Sequence, residues 1–361
     1  MLNWMLVFVP VAIVLEYVAA DLHLLVFLMA ALAIVPLAGW LGRATEQLAE
    51  RSGEGVGGLL NATFGNATEL IIGLSALRAG LHDVVKASIV GSIVGNILLV
   101  LGLAMLAGGL HHREQQYNIS GARSQATLLT LATIALILPA AYNAVITPRN
   151  PQGLQSLSLY ISLILLLVYG LFLVYSLITH RSLFSGTASS EQSPDQPAPW
   201  STGKAVSVLG VATVLIAWIS EILVGAIEPS ARQLGLSNLF VGVFVVAVLG
   251  NAAEHASAVS AAMKNRMDLA LSIAIGSSVQ VALLVAPLLV LASLFIGPLP
   301  MGLAFSAGLV LSVLLAVLIT GQVAGDGRSD WLKGVQLLAV YLILGLAFFF
   351  TPDAPTQYGS P

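Results

Sequence analysis

The chain has 361 residues, of which 58% are hydrophobic and only 9% charged, with a mean hydropathy of +0.95. Soluble domains run near roughly 45–50% apolar and about 25% charged, so this composition describes a polytopic membrane protein. A net charge of −3 with Lys and Arg scattered over loops excludes a nucleic-acid binder, and the lack of cysteine excludes disulfides, thiolate metal sites and thiol nucleophiles.

A membrane helix needs about 20 mostly apolar residues. The apolar runs predict eleven, with cores near 4–20, 22–42, 59–78, 84–108, 124–142, 157–178, 204–227, 238–262, 268–293, 300–320 and 332–351. Trp4 to Ala20 lacks a basic flank and contains Glu16, so it reads as a retained first helix and not as a cleaved signal. Arg43 to Gly58 mixes Arg, Glu and Gly with Leu48 and Val56, which suits a short interfacial extension, part of a gate. His180 to Thr202, with Pro194, Pro197 and Pro199 after a Ser/Thr/Gly-rich stretch, reads as a flexible linker. The expected organisation is an extra N-terminal helix over 1–20, a five-helix repeat over 21–179, a linker over 180–202, a second five-helix repeat over 203–351 and a tail over 352–361.

Cytoplasmic loops of membrane proteins carry the excess of Lys and Arg. With the N-terminus inside, ten of the fourteen cations fall on the cytoplasmic side and only Arg78, Lys86, Arg149 and Arg232 fall outside. That assignment predicts a cytoplasmic linker and an external C-terminus.

Gly65 and Gly250, Glu69 and Glu254, and Gly91-Ser92 and Gly276-Ser277 are all related by one offset of 185 residues, without a gap. Five helices per half is an odd number, so the halves enter the bilayer from opposite sides. The fold expected is therefore an all-α polytopic membrane protein of one extra helix plus two inverted-topology five-helix repeats.

The chemistry concentrates in the repeated stretch. On the third helix Asn61, Gly65, Asn66, Glu69 and Gly73 share one face, and on the eighth Gly250, Asn251, Glu254 and Ser257 do the same. An acid at a helix centre costs about 2.5–3.5 kcal/mol to insert, so such residues face a cavity or a partner. Two at pseudo-symmetric positions would meet near the midplane. Two carboxylates with Asn or backbone carbonyls and water suit a hard divalent cation such as Ca²⁺, which takes about 6–8 oxygens. Without the cation they cannot both stay ionised, so metal and protons compete for the same oxygens.

Glu69, Glu254, Asn66, Asn251, Gly65 and Gly250 are therefore the candidate cation site, with Glu69 and Glu254 also the proton-binding groups. The glycines have two open readings, close helix packing and a local unwinding that points carbonyls at the ion. On the neighbouring helices four and nine, Ala87, Gly91 and Gly95 in one half and Ser272, Gly276 and Gln280 in the other each share a face. Ser92, Asn96, Ser277 and Gln280 are candidates to supply direct or supporting oxygens, with close packing as the plain alternative. His255 has Leu70 as its counterpart and is a candidate proton relay or a packed histidine. Glu221, opposite Pro36, is either a pathway acid or an interfacial one, and Glu46, Glu16 and Glu228 lie near helix ends where solvated charge is the default.

The chain resembles the cation/proton exchangers of the calcium/cation antiporter superfamily, the vacuolar and bacterial Ca²⁺/H⁺ antiporters. The resemblance rests on Gly65-Asn66-Ala67-Thr68-Glu69-Leu70-Ile71, Lys86 to Asn96, Gly250-Asn251-Ala252-Ala253-Glu254-His255, Gly276-Ser277-Ser278-Val279-Gln280 and Asp326-Gly327-Arg328-Ser329. It implies Glu69 and Glu254 as Ca²⁺ ligands that also bind protons, and helices two and seven sliding over the core. The linker's only acids, Glu191 and Asp195, and the short N-terminus fit a prokaryotic member in a plasma (inner) membrane. Many relatives have a Glu early in helix ten, where this chain reads Phe305-Ser306-Ala307-Gly308-Leu309, so that residue's role has no bearer here.

The expected activity is export of cytoplasmic Ca²⁺ in exchange for H⁺, with both ions as transported substrates, the lipid bilayer as surroundings and no resident cofactor; homo-oligomerisation is left open. The nearest rival is a Na⁺/Ca²⁺ or Mn²⁺ exchanger, although Gln280 stands where Na⁺-coupled relatives carry an acid. A metal-dependent intramembrane enzyme is disfavoured by the lack of His-Glu-x-x-His, Gly-x-Ser-x-Gly and Cys. A passive channel conflicts with a doubly charged site that would hold Ca²⁺ too tightly for fast exit.

Overall fold

The computed structural model describes residues 3–52, 54–146, 151–180 and 200–351. The expected linker over 181–199 and the tail over 352–361 lie outside the described residues. Among the described residues eight helices are long and apolar enough to cross a membrane: α2 (His23–Arg51), α4 (His82–His111), α5 (Ile119–Val145), α6 (Gln152–Thr179), α7 (Thr202–Leu234), α9 (Met267–Ala292), α10 (Ala307–Ala324) and α11 (Trp331–Phe349). The other three expected spans are the shorter apolar α1 (Asn3–Val18) and two interrupted helices. These are α3a (Glu54–Phe64) with α3b (Ala67–Arg78), and α8a (Asn238–Gly250) with α8b (Ala252–Met263). The helix at the second break is bent by 63°. The described residues are therefore nearly all helical, apart from a two-residue ladder in which β1 (Gln115–Gln116) pairs antiparallel with β2 (Arg328–Ser329).

Local sequence sets the helix ends. The Asn118 side chain accepts from the backbone N–H groups of Ser120 and Gly121 at the start of α5, and Ser201 and Asp330 do the same for α7 and α11. Gly235, at φ +66°, closes α7 in the left-handed conformation that glycine adopts without a Cβ penalty. The tenth helix begins at Ala307 and not near 300, because Gly297 (φ +93°), Pro298 and Pro300 break the helical pattern there. Residues 293–306 instead lie over one end of the bundle. The Leu303 N–H donates to Ser158 Oγ (3.0 Å) and Lys86 Nζ donates to the Ala304 carbonyl (2.8 Å).

Burial separates centre from periphery. The apolar windows of α4 and α9 are 83% and 72% buried, whereas those of α6 and α11 are only 22% buried, so α4 and α9 form the middle and α6 and α11 face outward. α4 crosses α8a through small residues, with Gly91 against Val243 and Ala247 and Gly242 against Ala87. α2 and α7 run side by side, and α7 also packs on α3b.

The two ends of the bundle differ in charge. Of the described cations, Arg43, Arg51, Arg113, Arg123, Lys204, Lys264, Arg266, Arg328 and Lys333 lie toward the end where α2, α4, α8b and α10 finish. Arg78, Lys86 and Arg232 lie toward the other.

Candidate functional site

Both repeated stretches interrupt their helices at the same place, so a local unwinding beside Gly65 and Gly250 is present in the structure. Asn66 (φ −104°, ψ 24°) and Asn251 (φ −97°, ψ 7°) adopt the same bridge-region conformation between half-helices. Up to the break the ladder persists, with the Gly65 N–H donating to the Asn61 carbonyl (2.8 Å) and the Asn251 N–H to the Ala247 carbonyl (3.3 Å). The break puts Glu69 and Glu254 in the first turns of α3b and α8b. Glycine is required at the first break, where a Cβ on Gly65 would stand 2.7 Å from the Asn61 carbonyl oxygen. A Cβ on Gly250 would make an ordinary contact, 3.7 Å from Glu69 Oε1. The acid of the first half thus lies against the glycine of the second.

Glu69 and Glu254 line one cavity of about 630 Å³, together with Gly65, Gly250, Ser277 and Gln280. Glu69 is buried, and Oε2 of each acid is shut off from solvent with no hydrogen-bond partner among the described residues. Around them runs a side-chain network that crosses the repeat. Asn96 Nδ2 donates to Ser277 Oγ (3.1 Å), Ser277 Oγ donates to Asn66 Oδ1 (3.1 Å), and Asn66 Nδ2 donates to Gln280 Oε1. Ser277 also reaches the Glu254 side chain. In the other half Asn251 Nδ2 donates to Ser92 Oγ (3.1 Å) and to the Ala247 carbonyl (3.0 Å).

The Asn66–Ser277 and Asn251–Ser92 contacts are the same contact under the 185-residue offset, but their surroundings differ. Gln280 holds the far end of the Asn66 amide; its counterpart is Gly95, where a Cβ would meet nothing within 4 Å. Asn251 Oδ1 is consequently buried without a partner. Because its amide nitrogen faces a carbonyl, which only accepts, the orientation of the Asn251 amide is determined.

Among the described residues the cavity extends from the acids toward one end of the bundle. Its wall continues through Asn61 on α3a, Ser257 on α8b and Ser272 on α9, and along α2 from Val35 to Glu46, all toward the cation-rich end. On the opposite side of Glu69 there is a gap of only about 10 Å³, bounded by Ser88, Ser92, Gly73 and Leu289. There Gly73 lies against Leu289, so this last member of the polar stripe seals the closed side.

Two expected residues stand elsewhere. His255 lines a separate groove with Leu103, Val259 and Lys264, off the central cavity. Glu221 is paired with Arg78 (2.7 Å) across the α3b–α7 seam, with both side chains exposed. The contribution of α2 was not foreseen. Trp40, Arg43, Thr45 and Glu46 line the cavity, although Glu46 reads in sequence as a solvated helix-end charge. The signal available was the weak one that α2 carries polar residues on the face of an otherwise apolar helix. Among the described residues no group of three or more His, Cys, Asp or Glu could hold a metal ion.

The sequence model of the sodium/calcium exchanger protein family matches residues 22–178 and again 204–350. A protein of Aphanothece halophytica described as a Ca²⁺/H⁺ antiporter is 44% identical over 365 residues, covering 97% of this chain and 96% of its own length. The Ca²⁺/H⁺ antiporter ChaA of Bacillus subtilis is 44% identical over 324 residues, covering 90% and 91%. Among solved structures, native YfkE is 39% identical, with a TM-score of 0.81 over 96% of this chain and all of that one.

Proposed function

The chain belongs to the sodium/calcium exchanger protein family, a family of transporters and not of enzymes, and we propose that it exchanges Ca²⁺ for H⁺ by alternating access at the Glu69–Glu254 pair. The observation that carries this reading is that both acids line one cavity, each with a buried, unpartnered oxygen. Two facing carboxylates need balancing charge, and one Ca²⁺ or two protons supply it equally. A state carrying both sets is overcharged and a state carrying neither leaves two bare anions in a dry site, so the ions replace one another.

The donor set suits a cation that must leave again. Two carboxylates supply up to four of the roughly 6–8 oxygens Ca²⁺ takes. Asn251 Oδ1, backbone carbonyls at Gly65 and Gly250, and water in the cavity can complete the shell. Asn66, with both amide ends engaged, holds the first break in shape and offers its backbone. Ser92, Asn96, Ser277 and Gln280 orient the two asparagines. Gln280 is neutral and committed to Asn66, which disfavours a Na⁺-binding acid at that position.

The cation-rich end, where the cavity opens, is the cytoplasmic one by the positive-inside rule. That orientation places the N-terminus inside and loads Ca²⁺ from the cytoplasm, as an exporter in a prokaryotic inner membrane requires. ⁴⁵Ca²⁺ uptake into everted vesicles should need an acid interior and vanish in Glu69→Gln and in Glu254→Gln. Undiminished uptake in both variants, or uptake driven by Na⁺ at fixed pH, would overturn the reading.

A further inference from the structure

We propose that Ser220 and Ser230 on α7 line the second, closed access path, the one leading from Glu69 and Glu254 to the end of the molecule opposite the open cavity. The proposal rests on the alternating-access reading above and adds to it the wall of the path that the structure does not show open.

The argument starts from the offset that relates the halves. Four α2 residues on one face, Val35, Ala38, Gly42 and Thr45, line the open cavity. Adding 185 gives Ser220, Leu223, Ile227 and Ser230, which share one face of α7 at spacings of three, four and three. In an inverted repeat the two halves exchange roles between the two access states, so the α7 face takes in the other state the place the α2 face has here.

The second observation is independent of the repeat. Ser220 and Ser230 are 0% and 1% exposed, and neither hydroxyl has a hydrogen-bond partner among the described residues. Buried hydroxyls elsewhere in the bundle bond back to the carbonyl four residues earlier, as Thr45 on α2, Ser162 on α6 and Thr133 on α5 do at 2.8–2.9 Å. Two unpartnered hydroxyls on a gating helix are unfavourable in the closed packing and gain water when α7 and α3b separate. They lie about 15 Å apart along the helix, with Ser220 beside the Arg78-paired Glu221 and Ser230 about one turn from the end of α7 at Leu234. The Arg78–Glu221 pair bridges the same seam and must part as it opens.

This second path is less polar than the first. Asn61, Ser272 and Gln280 of the open cavity have Val246, Ala87 and Gly95 as counterparts, so Ser220, Ser230, Ser88 and Ser92 carry most of its hydration.

The chain has no cysteine, so single substitutions report cleanly. Ser220→Cys and Ser230→Cys would each be reacted with a membrane-impermeant maleimide added only to the side opposite the open cavity, during Ca²⁺/H⁺ exchange. The control is Ser162→Cys, equally buried but on α6, and Ser272→Cys should react only from the cavity side. Minor states are populated at about 0.1–10%, so exchange should raise labelling of both α7 cysteines on the order of tenfold above Ser162→Cys, with Ser230→Cys the faster. Labelling should also stop ⁴⁵Ca²⁺ flux. Variants that still transport Ca²⁺ yet label no faster than Ser162→Cys overturn the proposal while leaving the exchange reading intact. Absence of flux in the unsubstituted chain is the separate failure of that reading.

Discussion

The serines related by the repeat should not be equivalent. Ser277→Ala removes a hydroxyl that accepts from Asn96 Nδ2 and donates to Asn66 Oδ1, both at 3.1 Å and both buried. Ser92→Ala removes one acceptor, and the Asn251 amide keeps its bond to the Ala247 carbonyl at 3.0 Å. Side-chain hydrogen bonds between membrane helices average about 0.6 kcal/mol, which puts a floor of roughly 1 kcal/mol on the Ser277 loss. Counting two orphaned buried atoms at about 1–3 kcal/mol each raises the ceiling to about 6 kcal/mol. The Ser92 loss stays near the single-bond figure, about 0.6 kcal/mol.

With roughly 2–4 °C per kcal/mol for a chain of this order of size or somewhat smaller, Ser277→Ala should lower the apparent Tm by several degrees and Ser92→Ala by about 2 °C or less. The assay is thermal unfolding of the purified protein in one detergent, read by loss of the monodisperse peak after heating. The double variant Ser277→Ala/Asn96→Leu removes both partners of one bond and should recover part of the loss. Equal shifts for the two serines, or a larger one for Ser92, would refute the reasoning.

Packing gives a second contrast, since a Cβ on Gly91 would stand 2.7 Å from Ala247 Cβ while one on Gly95 meets nothing within 4 Å. Gly91→Ala should cost about 1–3 kcal/mol through overpacking, and Gly95→Ala should be tolerated in both Tm and ⁴⁵Ca²⁺ flux. Tyr117, between α4 and α5, donates its hydroxyl to the Val323 carbonyl (2.6 Å), and burial, with the Asp326 charge nearby, pushes its pKa up to about 12. Its folded value exceeds the unfolded value of about 10, so its contribution is complete below that pH and is lost as pH rises toward 12. Tyr117→Phe should flatten thermal stability measured across that alkaline window. For transport, raising the pH should weaken proton competition, so Ca²⁺ binding measured by equilibrium dialysis should tighten with pH and lose that dependence in Glu69→Gln.

The sequence by itself determined the membrane class, the inverted repeat and the two acids at its centre. These follow from hydropathy and from one offset shared by Gly65, Glu69 and Gly91, signals that are local in the chain. It also left Gly65 and Gly250 open between packing and unwinding, and the helices break beside both. Tertiary structure decided which of the two symmetric paths is open, because a repeat is consistent with either end until the helices are packed. It alone distinguished the asparagines, since the Gln280 that engages Asn66 comes from 214 residues away. It moved Glu221 to Arg78 and His255 off the cavity, because which face of an apolar helix meets its neighbours depends on how the halves are docked. For the same reason the α2 wall, with Trp40, Arg43 and Glu46 beside the acids, was visible only once the helices were assembled.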